Sequence, residues 1–357
     1  MASLKVGDAI GFIGGGQLAR MMSVAAARLG FRSIILEPAQ NCPAGDIAWH
    51  HIIAPYDDKK ALDELAKMCH VITYEFENVP ASALDRLKEK TILQPHPKAL
   101  HIAQDRYFEK QFLNALGIET APWRLIDTSQ SLLEGLKELG GDAILKTRRF
   151  GYDGKGQVRL KQTEKIDDEE ILKMISYAPA ILEGLVPFTK EISVIGARDS
   201  HGKTVFYDSP ENRHQNGILH SSHVPANLSQ KTITQAQAYT QKVLEAFDYI
   251  GVIGVEFFVM EDGSVIANEF APRVHNSGHW TEAACLISQF ENHVRAVAGL
   301  PLGEPHRHSN CIMENLIGDD VFKWETLLNE PQTLIHIYGK DESRPNRKMG
   351  HITRLIK

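Results

Sequence analysis

Two glutamates in a predicted β-hairpin carry the most specific chemistry in this sequence. The segments 251–260 and 264–270 have the pattern of strands, and the Asp-Gly pair between them is typical of a two-residue turn. That turn places Glu256 directly opposite Glu269, with Cβ atoms about 5 Å apart. Two carboxylates so close either share a proton or hold a cation. Oxygen ligands on stiff strands suit Mg²⁺, so we predict a magnesium site and keep the shared proton as the alternative.

A dense polar segment follows the second of these strands: APRVHNSGHW, residues 271–280. Arg273 has the planar guanidinium that suits a small oxyanion, and His275 and Asn276 lie close to it in the chain. A turn and helix cap before Thr281 is the alternative interpretation, and it does not account for Arg273 or His275. We therefore predict an anion site beside the metal site, with His275 as a candidate for proton transfer.

A glycine-rich loop between two predicted strands would suit phosphates. The strand 143–147 contains Lys146 and leads into RRFGYDGKGQ, residues 148–157. Glycines leave backbone amides bare, and neighbouring basic residues add positive charge, so that such a loop can form an anion-binding nest. A plain hairpin with solvated basic side chains is the alternative. The string GxxxxGK[ST] is absent, which argues against a P-loop fold.

The N-terminal third alternates strand and helix, which predicts parallel strands joined by crossovers. A strand over 9–14 leads into a helix, and Gly14, Gly16 and Ala19 form the pattern GxGxxA. Glu37 follows about 20 residues on, as in dinucleotide-binding sites. Other phosphate-bearing ligands can use the same amides, and tight packing of helix on strand also needs glycine. All three interpretations remain open at this point.

Glutamates occur near the ends of several predicted strands. Glu75 and Glu77 follow the strand 71–74, at the edge where α/β sheets place ligand groups. Glu183 and Glu191 lie on later apolar strands, where they could accept hydrogen bonds from an adenine amino group or from ribose hydroxyls. Solubilisation of a sheet edge is an equally good explanation for these two.

Two further segments complete the predicted organisation. A helix over 97–116, stopped by Gly117, links the first domain to the second. From about Pro301 the chain is predicted to form a small β-rich domain, with a strand over 333–338.

The composition is that of a globular chain with two or three domains: 357 residues, 43% hydrophobic and 24% charged. Lys and Arg number 39 against 45 Asp and Glu, a formal charge of −6, so neither a nucleic acid nor a membrane is an expected partner. No apolar run approaches the roughly 18 residues of a membrane span, and no signal peptide is evident. A cytoplasmic location is therefore expected. The four cysteines lack CxxC spacing, which favours reduced, buried thiols.

Taken together, these features resemble the ATP-grasp superfamily, and five strings narrow the resemblance. FIGGGQLARM, GYDGKGQ, EGLVPFTKEIS, NEFAPRVHNSGHWT and NRKMGHI are similar to the 5-(carboxyamino)imidazole ribonucleotide synthase family of purine biosynthesis, in the right order over nearly the whole chain. The resemblance implies an α/β (overall α+β) ATP-grasp fold. Its expected parts are a Rossmann-like domain over 1–105, an ATP-grasp domain over 106–300 with a lid at about 120–185, and a small β-rich domain over 301–357.

The resemblance also implies the reaction. ATP phosphorylates bicarbonate to carboxyphosphate, which carboxylates 5-aminoimidazole ribonucleotide to 5-(carboxyamino)imidazole ribonucleotide and leaves ADP and phosphate. The implied cofactors are ATP and Mg²⁺, the partners are these small molecules, and the implied assembly is a homodimer. A closed lid would protect carboxyphosphate from water.

Residue roles follow from the resemblance, position by position. The expected nucleotide-binding residues are Arg106, Lys146, Gly151, Tyr152, Asp153, Gly154, Lys155, Gly156, Gln157, Glu183, Gly184, Leu185, Val186, Glu191, His214, Asn268 and Glu269. The expected ribonucleotide-binding residues are Gly15, Gln17, Glu75, Tyr152, Asp153, Arg273, Lys340, Arg347 and Lys348. Arg273, His275, Asn276 and Lys155 are the expected catalytic groups, and Glu256 and Glu269 the metal ligands.

Two positions depart from common ATP-grasp patterns. Ala271 stands where many of these enzymes have a metal-binding asparagine, and Val274 replaces a frequent proline. The rival interpretations are a dehydrogenase, an ATP-grasp ligase with another acyl acceptor, and a nucleotide-binding regulator without turnover. A dehydrogenase leaves the paired glutamates and the glycine loop unexplained.

Overall fold

The computed structural model describes residues 3–151, 156–161, 171, 173 and 178–356. Its N-terminal part is a parallel sheet flanked by helices. The strands are β1 Ala9–Ile13, β2 Arg32–Leu36, β3 His50–Ile52, β4 Val71–Tyr74 and β5 Ile92–Leu93, and the helices are α1 Gln17–Arg28, α2 Lys59–Met68 and α3 Ala81–Lys88. The strand order is β3-β2-β1-β4-β5. β1 and β4 are buried along their whole length, which explains their continuous apolar sequences.

The predicted linker helix over 97–116 is wrong in one respect, because it is two helices. α4 covers Pro97–Ala103 and α5 covers Arg106–Ala115. The break occurs at Asp105, whose side chain accepts a hydrogen bond from the amide of Tyr107 and so caps α5. The apolar periodicity continues across the break, so that the spacing alone did not reveal it.

A four-stranded antiparallel sheet follows. It contains β6 Trp123–Ile126, β7 Ala143–Thr147, β8 Gln157–Leu160 and β9 Ala180–Gly184, in the order β6-β9-β7-β8. α6, Ser129–Leu139, lies between β6 and β7 in the chain. It begins with a capping box at Thr128 and Ser131 and ends at Gly140 in the left-handed conformation.

The largest sheet has nine strands and extends to the C-terminus. Its strands are β10 Lys190–Arg198, β11 Thr204–Phe206, β12 Glu211–Gln215, β13 Ile218–Val224, β14 Gly251–Val259, β15 Val265–Ala271, β16 Asn310–Ile317, β17 Thr333–Ile337 and β18 Lys348–Ile356. The order is β15-β14-β10-β12-β13-β16-β18-β17, with β11 beside β10. The remaining helices are α7 Gln230–Ala246, α8 Thr281–Ala284, α9 Gln289–Val297 and α10 Trp324–Leu327.

Packing joins the three parts of the chain. One buried cluster includes Met21 of α1, Trp280 and Phe290 near α8 and α9, and Met313 of β16. β16 also pairs directly with β13, so the C-terminal strands continue the central sheet. The division at residues 105 and 300 stays a prediction. Among the described residues, no helix has the length and apolar character needed to cross a membrane.

Candidate active site

Glu256 and Glu269 are directly paired across β14 and β15, as predicted, but for a different reason. The turn has three residues, because the amide of Met260 donates to Ser264 O at 2.9 Å and that of Gly263 to Met260 O at 3.0 Å. The predicted two-residue turn is therefore wrong. The glycine at this turn has φ +81°, a conformation that needs glycine.

A β-bulge restores the predicted pairing. Phe257 pairs with Ala267, and the register shifts before Glu256 pairs with Glu269. Asn268 is the extra residue, so Asn268 and Glu269 together oppose one glutamate. Without the bulge, Glu256 would face Asn268, and Glu269 would point to the other face of the sheet because side chains alternate along a strand.

Helix α5 holds the bulge from outside the sheet. Lys110 Nζ donates to the carbonyl of Asn268 at 2.8 Å, and Glu109 Oε1 accepts from the amide of Phe270 at 2.7 Å. Both side chains are almost fully buried. The backbone groups on each side of Glu269 are thus satisfied by α5 rather than by β14.

The paired carboxylates have opposite electrostatic surroundings. Burial and the nearby charge of Glu269 raise the pKa of Glu256. Burial alone would also raise the pKa of Glu269, but the charge of Arg106 and its hydrogen bond, 3.0 Å from Nη1 to Oε2, lower it. Glu269 is therefore the ionised member of the pair, and Glu256 is the one that takes up a proton when no cation is present.

The oxygen atoms at this site fit Mg²⁺. Both glutamates are turned into the same space, and Asn268 Oδ1 is buried without a hydrogen-bond partner among the described residues. Two facing carboxylates, with an unpartnered amide oxygen on the residue next to Glu269, suit a hard divalent cation that completes its shell with phosphate and water. Ala271 offers no further ligand, as expected from the sequence.

His275 is fixed beside the carboxylates by a buried chain of hydroxyls. Its Nε2 lies 3.6 Å from Glu256 Oε1, and its Nδ1 lies 2.8 Å from Ser277 Oγ, which in turn contacts Ser193 Oγ at 2.6 Å. Gly254 makes room for the ring, because a Cβ there would lie 2.6 Å from the Cβ of His275. Burial, with the charges of nearby cations, lowers the pKa of His275 to about 3. A neutral imidazole of this kind is a weak base, which disfavours proton uptake by His275 in the free protein.

Arg273 and Asn276, the other two residues predicted to bind the anion, contact other side chains of the protein. Arg273 Nη2 lies 3.0 Å from Glu77 Oε1 of the N-terminal part. Asn276 and Asn315 of β16 exchange two amide hydrogen bonds, of 3.0 and 2.8 Å. Arg273 therefore joins the N-terminal sheet to the carboxylate site, and the amide of Asn276 is held in one orientation.

Two of the predicted nucleotide residues, Lys146 and Glu183, form a buried ion pair. Lys146 Nζ lies 3.1 Å from Glu183 Oε2, and Lys110 Nζ lies 3.3 Å from the same atom. Burial would raise the pKa of Glu183, but the lysine charges lower it to about 2. Both lysines contact Oε2, whereas Oε1 of Glu183 is buried without a hydrogen-bond partner among the described residues, so one oxygen of this carboxylate is available as an acceptor.

The remaining predicted nucleotide residues lie in two short groups. His214 Nδ1 is 2.9 Å from Glu191 Oε2 on the neighbouring strand. Gly184 is the last residue of β9, and Leu185 and Val186 connect it to β10. Leu185 and Val186 therefore connect the small sheet to the large sheet, and Glu191 and His214 lie in the large sheet.

Part of the glycine loop is described. Gln157 begins β8 and pairs with Lys146, and Gly156 has φ +70° with no space for a Cβ, which would lie 2.6 Å from Thr147 Oγ1. Gly151 ends the described part on the other side. The predictions for Tyr152, Asp153, Gly154 and Lys155 lie outside the described residues.

The N-terminal glycine turn binds its own carboxylates. The amide of Gly15 donates to Glu37 Oε2 at 2.9 Å, and that of Gly16 donates to Glu75 Oε1 at 2.7 Å. Burial raises the pKa of Glu75, and the amides of Gly16 and Ala19, which donate to its carboxylate, oppose the rise. Because Glu37 and Glu75 occupy the amides that a pyrophosphate would need, the arrangement disfavours the dinucleotide interpretation. Gln17 is half-buried at the start of α1.

The three basic residues near the C-terminus that are predicted to bind the ribonucleotide have different surroundings. The charge of Lys348 acts on His214, His275 and Glu256, so this side chain faces the carboxylate site. Lys340 Nζ donates to the carbonyl of Lys348 at 2.6 Å. Arg347 Nη1 donates to Glu342 O at 2.8 Å in an exposed loop.

Sequence reasoning missed the residues that support this site. Glu109, Lys110, Ser193 and Asn315 were not predicted, although each contacts a predicted site residue or the residue next to one. A lysine and a glutamate on a helix are ordinarily solvent-exposed, and only their spatial neighbours show otherwise. Glu77 was noted at a ligand-binding edge without a role.

Comparison with known proteins first defines the class. Residues 111–290 match the ATP-grasp domain, residues 8–104 the ribonucleotide synthetase preATP-grasp domain, and residues 311–357 the phosphoribosylaminoimidazole carboxylase C-terminal domain. The chain thus has the ATP-grasp fold and is an ATP-dependent ligase.

Relatives then define the family. The N5-carboxyaminoimidazole ribonucleotide synthase of Brucella melitensis is 58% identical, with 99% of this chain and 98% of that protein covered. The Bacillus subtilis protein of that name is 40% identical, with 97% and 91% covered. The chain belongs to the N5-carboxyaminoimidazole ribonucleotide synthase family of purine biosynthesis.

Solved structures agree with this result. That of the Staphylococcus aureus N5-carboxyaminoimidazole synthetase with ADP has a TM-score of 0.95 at 38% identity and covers 100% of this chain and 95% of that one. The Aspergillus clavatus enzyme in complex with ADP and 5-aminoimidazole ribonucleotide has a TM-score of 0.92 at 32% identity, with 98% and 94% covered.

Proposed function

We propose that this chain carboxylates 5-aminoimidazole ribonucleotide with bicarbonate, at the expense of ATP, and releases N5-carboxyaminoimidazole ribonucleotide, ADP and phosphate. The observation that carries the proposal is the bulged hairpin. In this hairpin Glu256 pairs with Glu269, and Glu256 Oε1 lies 3.6 Å from His275 Nε2. The charge of Lys348 acts on both Glu256 and His275. Family membership supplies the identity of the substrates.

The first step is phosphoryl transfer to a weak nucleophile. A bicarbonate oxygen attacks the γ-phosphorus of ATP, ADP leaves, and carboxyphosphate forms. Lys146 and Arg106 are already buried and positively charged beside the carboxylates, so they offset the negative charge of the transferring group without reorganisation. Arg273 binds bicarbonate through the guanidinium that now contacts Glu77.

The second step transfers the carboxyl group. The amine of the ribonucleotide attacks the carbon of carboxyphosphate and displaces phosphate, or it attacks the carbon dioxide that carboxyphosphate has already released with phosphate as the other product. In both routes phosphate leaves with the bonding electrons, and it accepts the proton that the amine loses. The neutral His275 and the fixed amide of Asn276 orient the small anion through hydrogen bonds. Lys340, Arg347 and Lys348 are proposed to bind the ribonucleotide phosphate, and Gly15, Gln17 and Glu75 to line the far end of this site.

Mg²⁺ is the metal that we propose for Glu256 and Glu269, with Asn268 Oδ1 available as a neutral oxygen. When bound, it supplies positive charge to the phosphates. Without a metal ion, Glu256 would carry a proton at this place because its pKa is raised. This is the shared-proton alternative to a metal site. The residues Gly151, Gly156 and Gln157 are proposed to contact the phosphates together with 152–155. Glu191 and His214 are proposed to meet the ribose, and the backbone of 183–186 the adenine.

Four further parts of the proposal rest on the sequence and on the family resemblance. They are a homodimeric assembly, a cytoplasmic location, a lid at about 120–185 that closes over carboxyphosphate, and a domain division at residues 105 and 300.

The decisive experiment is product identification. The protein is incubated with ATP, Mg²⁺, labelled bicarbonate and 5-aminoimidazole ribonucleotide, and ADP is measured with the label in the ribonucleotide. We expect ADP release to need both bicarbonate and the ribonucleotide, with label transferred in equal amount. Full ADP release without either substrate would contradict the assignment, and label transferred to another amine would indicate a related ligase with a different acceptor.

A further inference from the structure

A cluster of metal-binding side chains lies outside the site described above. Glu282 belongs to α8, His336 to β17 and His351 to β18. His336 Nδ1 lies 3.1 Å from Glu282 Oε2, and His351 Nε2 lies 4.0 Å from the same oxygen. One ligand atom from each residue lies within 4.8 Å of the others. His336 and His351 are directly opposite each other across the strands.

The residues around the cluster orient His351 for metal binding. The hydroxyl of Tyr338 lies 2.9 Å from His351 Nδ1, so this ring nitrogen is occupied and Nε2 is directed at Glu282. Metal-bound histidines ordinarily have the second nitrogen held in this way. A further imidazole, His279, has its ring centre 4.9 Å from that of His351 and is fully buried, with its Nε2 lacking a hydrogen-bond partner among the described residues.

We propose that Glu282, His336 and His351 bind a transition-metal ion, for which Zn²⁺ is the appropriate probe. Zinc bonds of about 2.0–2.1 Å separate tetrahedral ligands by about 3.3 Å. The separations of 3.1 and 4.0 Å require small side-chain movements only. Glu282 and His336 have side chains that are 18% and 19% exposed, so both are in contact with solvent.

The ligand types separate this site from the one at Glu256. Two imidazole nitrogens and one carboxylate favour zinc and its neighbours, whereas the oxygen donors of the hairpin favour magnesium. A bound ion would join α8 to the last two strands of the large sheet. Tyr338 and Lys340 follow β17, and Lys348 begins β18, so the ion would hold the segment that carries these lysines. This inference concerns how a bound ion would hold that segment in place, and it does not depend on the proposed reaction.

The test is a zinc titration of the untagged full-length protein after dialysis against a chelator. It is done with saturating Mg²⁺ and ADP, so that the oxygen site is filled, and with a chromophoric chelator as competitor. We expect one equivalent of Zn²⁺ per chain. His336→Ala and Glu282→Gln should each weaken binding at least tenfold, and Tyr338→Phe should weaken it by about 10- to 100-fold. His306→Ala, at an exposed histidine near Glu304, is the matched control and should bind as the wild type does.

Thermal unfolding gives a second measurement, which can be interpreted even when a variant is less stable than the wild type. Zn²⁺ should raise Tm of the wild type and of His306→Ala by mass action, and should leave Tm of His336→Ala unchanged. Co²⁺ should give the visible absorption of a four-coordinate nitrogen–oxygen site. No stoichiometric site in the wild type, or equal affinity in His336→Ala and the wild type, would overturn the proposal and leave His336 and Glu282 as an ion pair.

Discussion

Glu256 faces Glu269 only because Asn268 bulges out of β15, and the bulge is held by a helix that belongs to another part of the chain. The turn register alone would pair Glu256 with Asn268. Lys110 and Glu109 of α5 bind the backbone on both sides of Glu269. The geometry of the carboxylate pair therefore depends on the packing of α5 against β15, as much as on the hairpin itself.

Glu109 offers a direct test of this dependence. Glu109→Gln keeps an acceptor for the amide of Phe270, so we expect stability within about 1 kcal/mol of the wild type. Glu109→Leu leaves that buried amide unpaired and should cost about 1–3 kcal/mol. It should also reduce ADP release more than Glu109→Gln does. Urea unfolding and a coupled ADP assay measure the two effects, and equal behaviour of both variants would show that the bulge does not need this hydrogen bond.

Glu269→Gln tests the role of the ionised carboxylate. We expect turnover to fall at least 100-fold, about 3 kcal/mol in transition-state free energy, and the Mg²⁺ concentration for half-maximal rate to rise. The fold should remain, because the amide of glutamine is of equal size. Glu261→Gln in the exposed hairpin turn is the control and should be neutral. ADP release is measured over a range of Mg²⁺ concentrations, and a near-normal rate at limiting Mg²⁺ would count against the metal role.

Local sequence signals predicted the elements well. The strands Val71–Tyr74 and Ala143–Thr147 and the start of α1 at Gln17 occur as expected, because each combines a periodic apolar pattern with a clear stop or start. The helix break at Asp105 was missed because a capping aspartate inside an apolar periodicity is a weak signal.

Long-range contacts could not be predicted in the same way. The pairing of Glu256 with Glu269 was predicted from a two-residue turn that does not form, and the bulge compensates for the error. Nothing local to Lys110 indicates that it is buried against Asn268 and Glu183, since those partners lie 158 and 73 positions away in the chain. The same holds for Asn315 and Asn276. The supporting residues of the site are thus visible only in three dimensions.

The buried His293 predicts a pH dependence of stability. Its Nδ1 accepts from the amide of Val252 at 3.2 Å and its Nε2 lies 2.8 Å from Thr73 Oγ1, and burial lowers its pKa to about 3. The unfolded chain binds a proton near pH 6.5, whereas the folded chain does not. Stability is therefore complete above pH 6.5 and decreases as the pH falls towards 3, by about 1.4 kcal/mol per pH unit for this one proton.

His293→Gln should remove that part of the slope. Urea unfolding at several values between pH 4 and pH 7 measures it, and the variant should show a flatter dependence although it is less stable at pH 7. His306→Gln, at an exposed position, serves as the control and should keep the wild-type slope. An unchanged slope in His293→Gln would mean that His293 is protonated in the folded protein.

Asn315 predicts how strongly the anion site depends on a fixed Asn276. Asn315 donates to Asn276 Oδ1 and to Leu219 O, both at 2.8 Å, and accepts from Asn276 Nδ2. Asn315→Asp keeps the acceptor for Asn276 Nδ2 but removes both donors and puts a carboxylate oxygen opposite Asn276 Oδ1, so the amide of Asn276 loses one hydrogen bond and is repelled from its present orientation. We expect KM for bicarbonate to rise about tenfold, with KM for ATP little changed, because Asn276 is proposed to contact the bicarbonate and not the nucleotide. Asn310→Asp, at the exposed start of the same strand, is the matched control. A parallel rise in both KM values would indicate general loosening of β16, and an unchanged KM for bicarbonate would remove Asn276 from the anion site.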